Sequence, residues 1–255
     1  MPYIEDIQQL ELENTFDIEI SADKTIWRYV SFEKFLSLVN SRAIHFRQAE
    51  LLSDEYEGEI PPREVIPHPG LAELYDANSL ITHISSWYIG DSESQEMWDE
   101  YEEADLLIKS DYQSFRDSIS IDDEFGVQFV EVDYIDWTDE ELGLVSEQDG
   151  TLSGGLLDPF KYKREKFAFE SEFRAIATTI GTLSDMEENK GEVDFGEMVD
   201  KYREPNIFVR SELDTLIDEI RVSPELGGWV VEEVSEWMDR EFGIGNQVRH
   251  SNLAD

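Results

Sequence analysis

A carboxylate pair and a run of cations lie side by side in the stretch Lys161-Tyr-Lys-Arg-Glu-Lys-Phe-Ala-Phe-Glu-Ser-Glu-Phe-Arg-Ala-Ile-Ala177. Glu170 and Glu172 are of the type that moves a proton or stabilises a developing cation. Lys161, Lys163, Arg164 and Lys166 concentrate positive charge where a phosphate could bind, and neutralising the chain's own carboxylates is the competing use for them. Alternation from Phe167 predicts a strand with Phe169, Ser171, Phe173 and Ala175 on one side and Glu170, Glu172, Arg174 and Ile176 on the other. A face carrying two carboxylates and the Arg174 guanidinium is either a solvated edge or a site. The spacing alone does not decide it, because two acids at i and i+2 arise about 14 times by chance in a chain of this composition.

Two other segments carry suggestive residues. Arg28 sits mid-strand between Trp27 and Tyr29, where a planar guanidinium suits a carboxylate or phosphate; an exposed strand face is the plain alternative. Ser85-Ser86-Trp87 sets two hydroxyls beside a large ring, able to hydrogen-bond a ligand while the ring stacks on it, or merely half-exposed. Trp98, with Met97 and Tyr101 on one helix, is core. Other chemistries lack their signatures. Glycine-rich phosphate loops and a G-x-S-x-G elbow are missing. With no cysteine there is no disulfide or thiolate site. His45, His68, His83 and His250 have no ligand-like spacing, so no metal site is expected.

The chain has 255 residues and a formal net charge of -40, from 60 acidic and 20 basic side chains, yet 40% of it is hydrophobic. That apolar content argues for a folded protein rather than an acidic disordered tail. No segment approaches the roughly 20 apolar residues of a membrane helix, and the acidic start does not resemble a signal peptide. These features point to a high-salt cytoplasm, where the Debye length falls to about 3 Å and self-repulsion is screened. So much negative charge also disfavours extended nucleic-acid binding.

The elements that must position these residues follow from periodicity. Strands are expected over Lys24–Val30, Ala43–Phe46, Ile81–Ile89, Ala104–Lys109, Val127–Tyr134 and up to Thr179, with shorter ones at Asn206–Val209, Glu219–Val222 and Gln247–Arg249. Helices are expected after Ser31, over Leu71–Leu80, after Ser92, after Asp111 or Ser110, near Asp158–Lys166, over Glu212–Ile217 and over Pro224–Phe242. Residues 1–22 read as an acidic extension and 23–255 as one α+β domain. Its sheet is mixed and mainly antiparallel, flanked by helices, with flexible loops near 53–70, 138–157 and 181–204.

Taken together, these residues resemble a prokaryotic domain of unknown function, family 2971. The likeness rests on Trp27-Arg-Tyr-Val-Ser-Phe-Glu-Lys-Phe-Leu36, Ile44-His-Phe46, Glu57-Gly58, Ser85-Ser86-Trp87, Glu96-Met97-Trp98 with Tyr101, Lys166-Phe-x-x-Glu-x-Glu-Phe-Arg174 and Val248-x-x-Ser251-x-Leu253. The loop Leu52-Ser-Asp-Glu-Tyr56 departs from the family's Asn-Asp-Pro. The order of an arginine, a serine and a Glu-x-Glu on successive strands is also similar to ADP-ribosyltransferases. That resemblance implies NAD as a substrate, with Arg28 gripping its phosphates, Ser85 or Ser86 buttressing the site, and Glu172 or Glu170 orienting the ribose. Independently of it, Trp87 and Arg174 join the cationic run as candidate ligand-binding residues. The implied activity is a nucleotide-directed transferase or glycohydrolase of the toxin or defence type. The alternative is a non-catalytic nucleotide- or protein-binding module, or a viral accessory protein. The charge balance predicts a melting temperature that climbs steeply between low and molar KCl; calorimetry showing equal stability at both would contradict it.

Overall fold

The computed structural model describes residues 20–62, 69–119, 125–139, 142–143, 155, 157–179 and 194–254. Most of the expected acidic extension, His68 and most of the expected loops at 138–157 and 181–204 lie outside these residues. Among the described residues, nine strands build one sheet in an α+β fold. Four of them, Thr25–Val30 (β1), Leu106–Asp111 (β4), Glu219–Val222 (β10) and Val248–His250 (β11), make one wing. Ala43–Gln48 (β2) and Asn206–Arg210 (β9) make a second wing. Both wings attach to Thr82–Ile89 (β3), whose other edge carries Glu172–Thr179 (β8) and then Phe125–Glu131 (β5). All these pairings are antiparallel except β10 with β11.

β3 is shared unevenly, and this creates the main feature of the molecule. Its C-terminal end pairs with β1 through Ile89 and Tyr88, and its N-terminal end pairs with β2 through Ile84 and His83. Between these contacts, at Ser85, Ser86 and Trp87, the same edge faces neither wing. The sheet therefore forks, and its two faces communicate through the opening between β1 and β2.

One face is covered by helices. Phe32–Ser41 (α1) begins at Ser31, whose hydroxyl accepts from the Lys34 N–H, and Tyr112–Ser118 (α4) begins at Asp111, which caps through the Ser114 N–H. Phe35 and Val39 of α1, Phe115 of α4, Leu213 and Leu216 of the short helix Leu213–Leu216 (α6), and Val234 and Met238 of Trp229–Phe242 (α7) bury the sheet residues Ile26, Trp87, Ile108 and Phe173. Burying each such side chain is worth about 1.5–3 kcal/mol. The opposite face carries two smaller apolar clusters. Trp27, Tyr29 and Leu107 pack with Met97 and Trp98 of Gln95–Glu100 (α3), as expected of a core tryptophan; Ile84, Val130 and Ile176 pack with Ala49 and Phe160. Pro69–Ile81 (α2) and Phe195–Tyr202 (α5) complete the helices among the described residues. None of these is long and apolar enough to cross a membrane.

Several boundaries differ from expectation. Glu165–Glu170 is a 3-10 turn rather than strand, and Ser171 takes a left-handed conformation (φ 37°), so β8 begins only at Glu172. Nor is β8 an edge: it is flanked by β3 and β5. Asp158–Lys161 is likewise a 3-10 turn, and Tyr162–Arg164 (β7) pairs in parallel with Asp133–Ile135 (β6). The strand expected to run to Tyr134 breaks at Val132, whose N–H is taken by the Glu172 carbonyl at 2.9 Å. The last long helix starts at Trp229, after Gly227-Gly228.

Gly58 closes the loop that faces β8. Its φ is +74°, and a Cβ there would lie 2.1 Å from the Phe160 ring. Gly58→Ala therefore combines left-handed strain with overpacking and is expected to cost about 2–4 kcal/mol. Gly143→Ala, at φ +67° where an added Cβ would meet nothing within 4 Å, is expected to cost only about 1 kcal/mol. Denaturant titration of the two variants compares them; equal losses would contradict the packing role of Gly58.

Candidate functional site

A cleft of about 440 Å³ runs along the fork, and Arg28, Ser86, Trp87, Glu170 and Glu172 all line it. The register explains how residues from different strands reach one space. Ser86 of β3 is opposite Arg174 of β8, and Tyr88 is opposite Glu172, so Ser86, Glu172 and Arg174 share one face. Arg28 and Ser85 belong to the other face, with Trp87. Arg28 and Trp87 meet the carboxylates' cleft only because the sheet is open between β1 and β2.

Arg28 is held but not neutralised. Its Nη1 donates to the Ser85 hydroxyl, which also accepts from Trp87 Nε1 at 3.3 Å, and its Nη2 donates to the His45 carbonyl at 3.3 Å. The guanidinium lies 5.5 Å from the centre of the Trp87 ring. Among the described residues it has no carboxylate partner, and a guanidinium has five N–H donors in all. Burial pushes its pKa down to about 10, so the group remains charged at neutral pH. Ser85 itself is buried behind the guanidinium, positioning it rather than lining the cleft.

The carboxylate wall is built differently. Arg174 is fully buried and donates from Nε to Glu172 at 2.8 Å, from Nη2 to Glu57 at 2.9 Å and from Nη1 to the Phe160 carbonyl at 2.8 Å. Lys163 is also buried, and its Nζ contacts Glu170 at 2.5 Å, Glu172 at 3.2 Å and Glu57 at 3.4 Å. Three carboxylates thus share two cations. Burial would raise the Glu172 pKa, but Arg174 and then Lys163 outweigh it and hold this carboxyl below the ordinary range. Glu170 has only Lys163 to oppose burial and the neighbouring Glu172 charge, and its pKa is raised. Two carboxylates two residues apart are thereby driven in opposite directions, the pattern of an ionised stabiliser beside a proton carrier.

The structure does not gather the remaining expected residues into the cleft. Lys161 pairs with Asp158. Arg164 makes a two-pronged contact with the buried Asp54 and lies 4.2 Å from the Tyr56 ring centre. Lys166 is exposed, over Phe167. Lys161, Lys163 and Arg164 of the cationic run therefore serve the chain's own acids, and Arg174, expected to contact ligand, is wholly enclosed. His45, Arg47 and Lys34, outside the expected site, also line the cleft, and so does Tyr101, expected with the core residues Met97 and Trp98. Glu57, half of the clamp on Arg174, was visible only as part of the Glu57-Gly58 pair. Among the described residues no group of acids and histidines is arranged to hold a metal ion.

Comparison of the chain with family models, with curated proteins and with solved structures finds no match. The site is accordingly read from its own geometry. Arg174→Met is expected to cost about 3–5 kcal/mol, because it strands buried carboxylates. Lys166→Met should stay within about 0.5 kcal/mol of the parent protein. Denaturant unfolding at fixed KCl checks both, and a tolerated Arg174→Met would remove the case for the clamp.

Proposed function

We propose that the forked cleft binds a phosphate-bearing nucleotide, NAD in the first instance, and cleaves or transfers at its ribosyl carbon. The observation that carries this reading is Arg28: a charged, partly buried guanidinium with spare donors, facing a cleft whose other wall is acidic. A phosphate oxygen would supply its missing counter-charge. With the phosphates on Arg28, the ribose is directed towards Ser86, Glu170 and Glu172. The glycosidic C–N bond breaks with its electron pair leaving on nicotinamide, and the cation left on the ribose is stabilised by the ionised Glu172 nearby. An incoming water or hydroxyl forms the new C–O bond and gives its proton to Glu170, whose raised pKa suits it to accept one. The likenesses to family 2971 and to ADP-ribosyltransferases are part of this proposal and lend it the same residues.

A second reading, a binding module without turnover, is favoured by one fact. Glu172 is committed to Arg174 and Lys163, leaving Glu170 as the more available acid. That commitment also makes Glu172→Gln a poor test, since it removes a buried counter-charge. Glu170→Gln is the informative change. In molar KCl the parent protein is expected to convert NAD to nicotinamide, and Glu170→Gln to lower kcat by about 10²-fold or more with little change in KM. Chromatography of the products reports this. Thermal stabilisation by NAD without product would select the binding module, and neither effect would dismiss the nucleotide reading altogether.

A further inference from the structure

A second cavity, of about 310 Å³, adjoins the first on the helical side of the sheet. Its walls are apolar: Val30, Leu38, Ile44, Trp87, Ile108 and Phe208. Phe208 is 49% exposed, one of the few large apolar side chains left uncovered, and its ring centre lies 5.4 Å from that of His45. The polar groups here are few and mostly engaged. His45 Nε2 meets Asn206 Oδ1 at 2.7 Å. Burial, ahead of the nearby Arg28 charge, lowers the His45 pKa, so the imidazole is neutral at neutral pH. Lys34 at the lip reaches Glu103 at 2.8 Å, and Glu33 is the one carboxylate among the lining residues. Arg28 closes the inner end, with donors to spare. With Lys34 paired to Glu103, Arg28 is the lining cation that has no carboxylate partner among the described residues.

Size and chemistry together restrict the occupant. Small-molecule pockets span roughly 300–1,000 Å³, so this one admits a single ring or branched chain, not a dinucleotide. Apolar walls ending on one guanidinium match a molecule with an apolar body and one anionic end. We propose that this cavity binds a small aromatic or branched carboxylate, its oxygens on Arg28 and its body between Leu38 and Phe208. Because Arg28 lines both cavities, this carboxylate and the phosphate in the larger cleft compete for one cation. The competition rests on the nucleotide reading above; the carboxylate site does not.

Benzoate and its neutral analogue benzyl alcohol, titrated calorimetrically at fixed ionic strength, test the site. Benzoate is expected to bind at least tenfold more tightly than benzyl alcohol, with the preference lost in Arg28→Met. Leu38→Trp, which fills the cavity, should abolish binding, and the surface change Phe208→Ala should weaken it several-fold even if Leu38→Trp fails to fold. Lys166→Met, which lines neither cavity, should leave it within twofold. Equal binding of the two probes, benzoate binding retained in a folded Leu38→Trp protein, or no effect of Phe208→Ala would overturn the proposal. ADP-ribose is expected to raise the apparent Kd for benzoate; binding of both without mutual effect would overturn the shared use of Arg28. Benzoate binding with no ADP-ribose binding would instead defeat the nucleotide reading alone.

Discussion

The rest of the structure depends on the way one edge of β3 is divided between β1 and β2. A strand edge left open inside a sheet is costly unless its polar groups and the gap beside it are otherwise filled. Here the gap is filled by Arg28, stacked near Trp87 and held by Ser85 and the His45 carbonyl. The same division that lets the two wings splay also joins the two faces of the sheet. Without it, Arg28 would point into the helical core and the carboxylates would face away from it across a continuous sheet.

The second constraint is electrostatic. Glu57, Glu170 and Glu172 crowd around Lys163 and Arg174 in a region largely shut off from water. Buried ion clusters of this kind hold only when every member keeps its partner. Arg174 and Lys163 hold Glu172 in its charged form, and the cation shortage falls on Glu170. A similar device fastens the C-terminal end: Glu93, buried beside α3, accepts from Trp98, Arg221, Ser251 and the Asn252 N–H, tying the segment after β11 to the first wing. In a chain dominated by acids, Lys163, Arg164, Arg174 and Arg221 are thus spent on particular internal carboxylates.

Local patterns were legible, and long-range pairings were not. Sequence alternation marked β1 and β3, although both strands are buried on both faces over much of their length, and Ser31 and Asp111 cap their helices. The aromatic alternation Phe167, Phe169, Phe173 imitated a strand where a 3-10 turn and a left-handed Ser171 intervene, because in the turn Phe167 and Phe169 are both half-buried while Lys166 and Ala168 are exposed. The cationic run was visible as a cluster. Its counterions were not, since Asp54 lies 110 residues from Arg164 and Glu57 lies 117 residues from Arg174. Both sit in a loop that read as merely polar. Arg28 stood out by its place between two aromatics, yet that it has no carboxylate partner among the described residues emerges only once the fork is seen.

The central claim is that Arg28 awaits an anion from outside the chain. Isothermal titration with ADP-ribose in molar KCl, comparing the parent protein with Arg28→Gln, tests it most directly. The account predicts saturable one-to-one binding in the parent and a loss of at least tenfold in affinity, or about 1.4 kcal/mol, in a variant that remains folded. Undiminished binding in folded Arg28→Gln would contradict it.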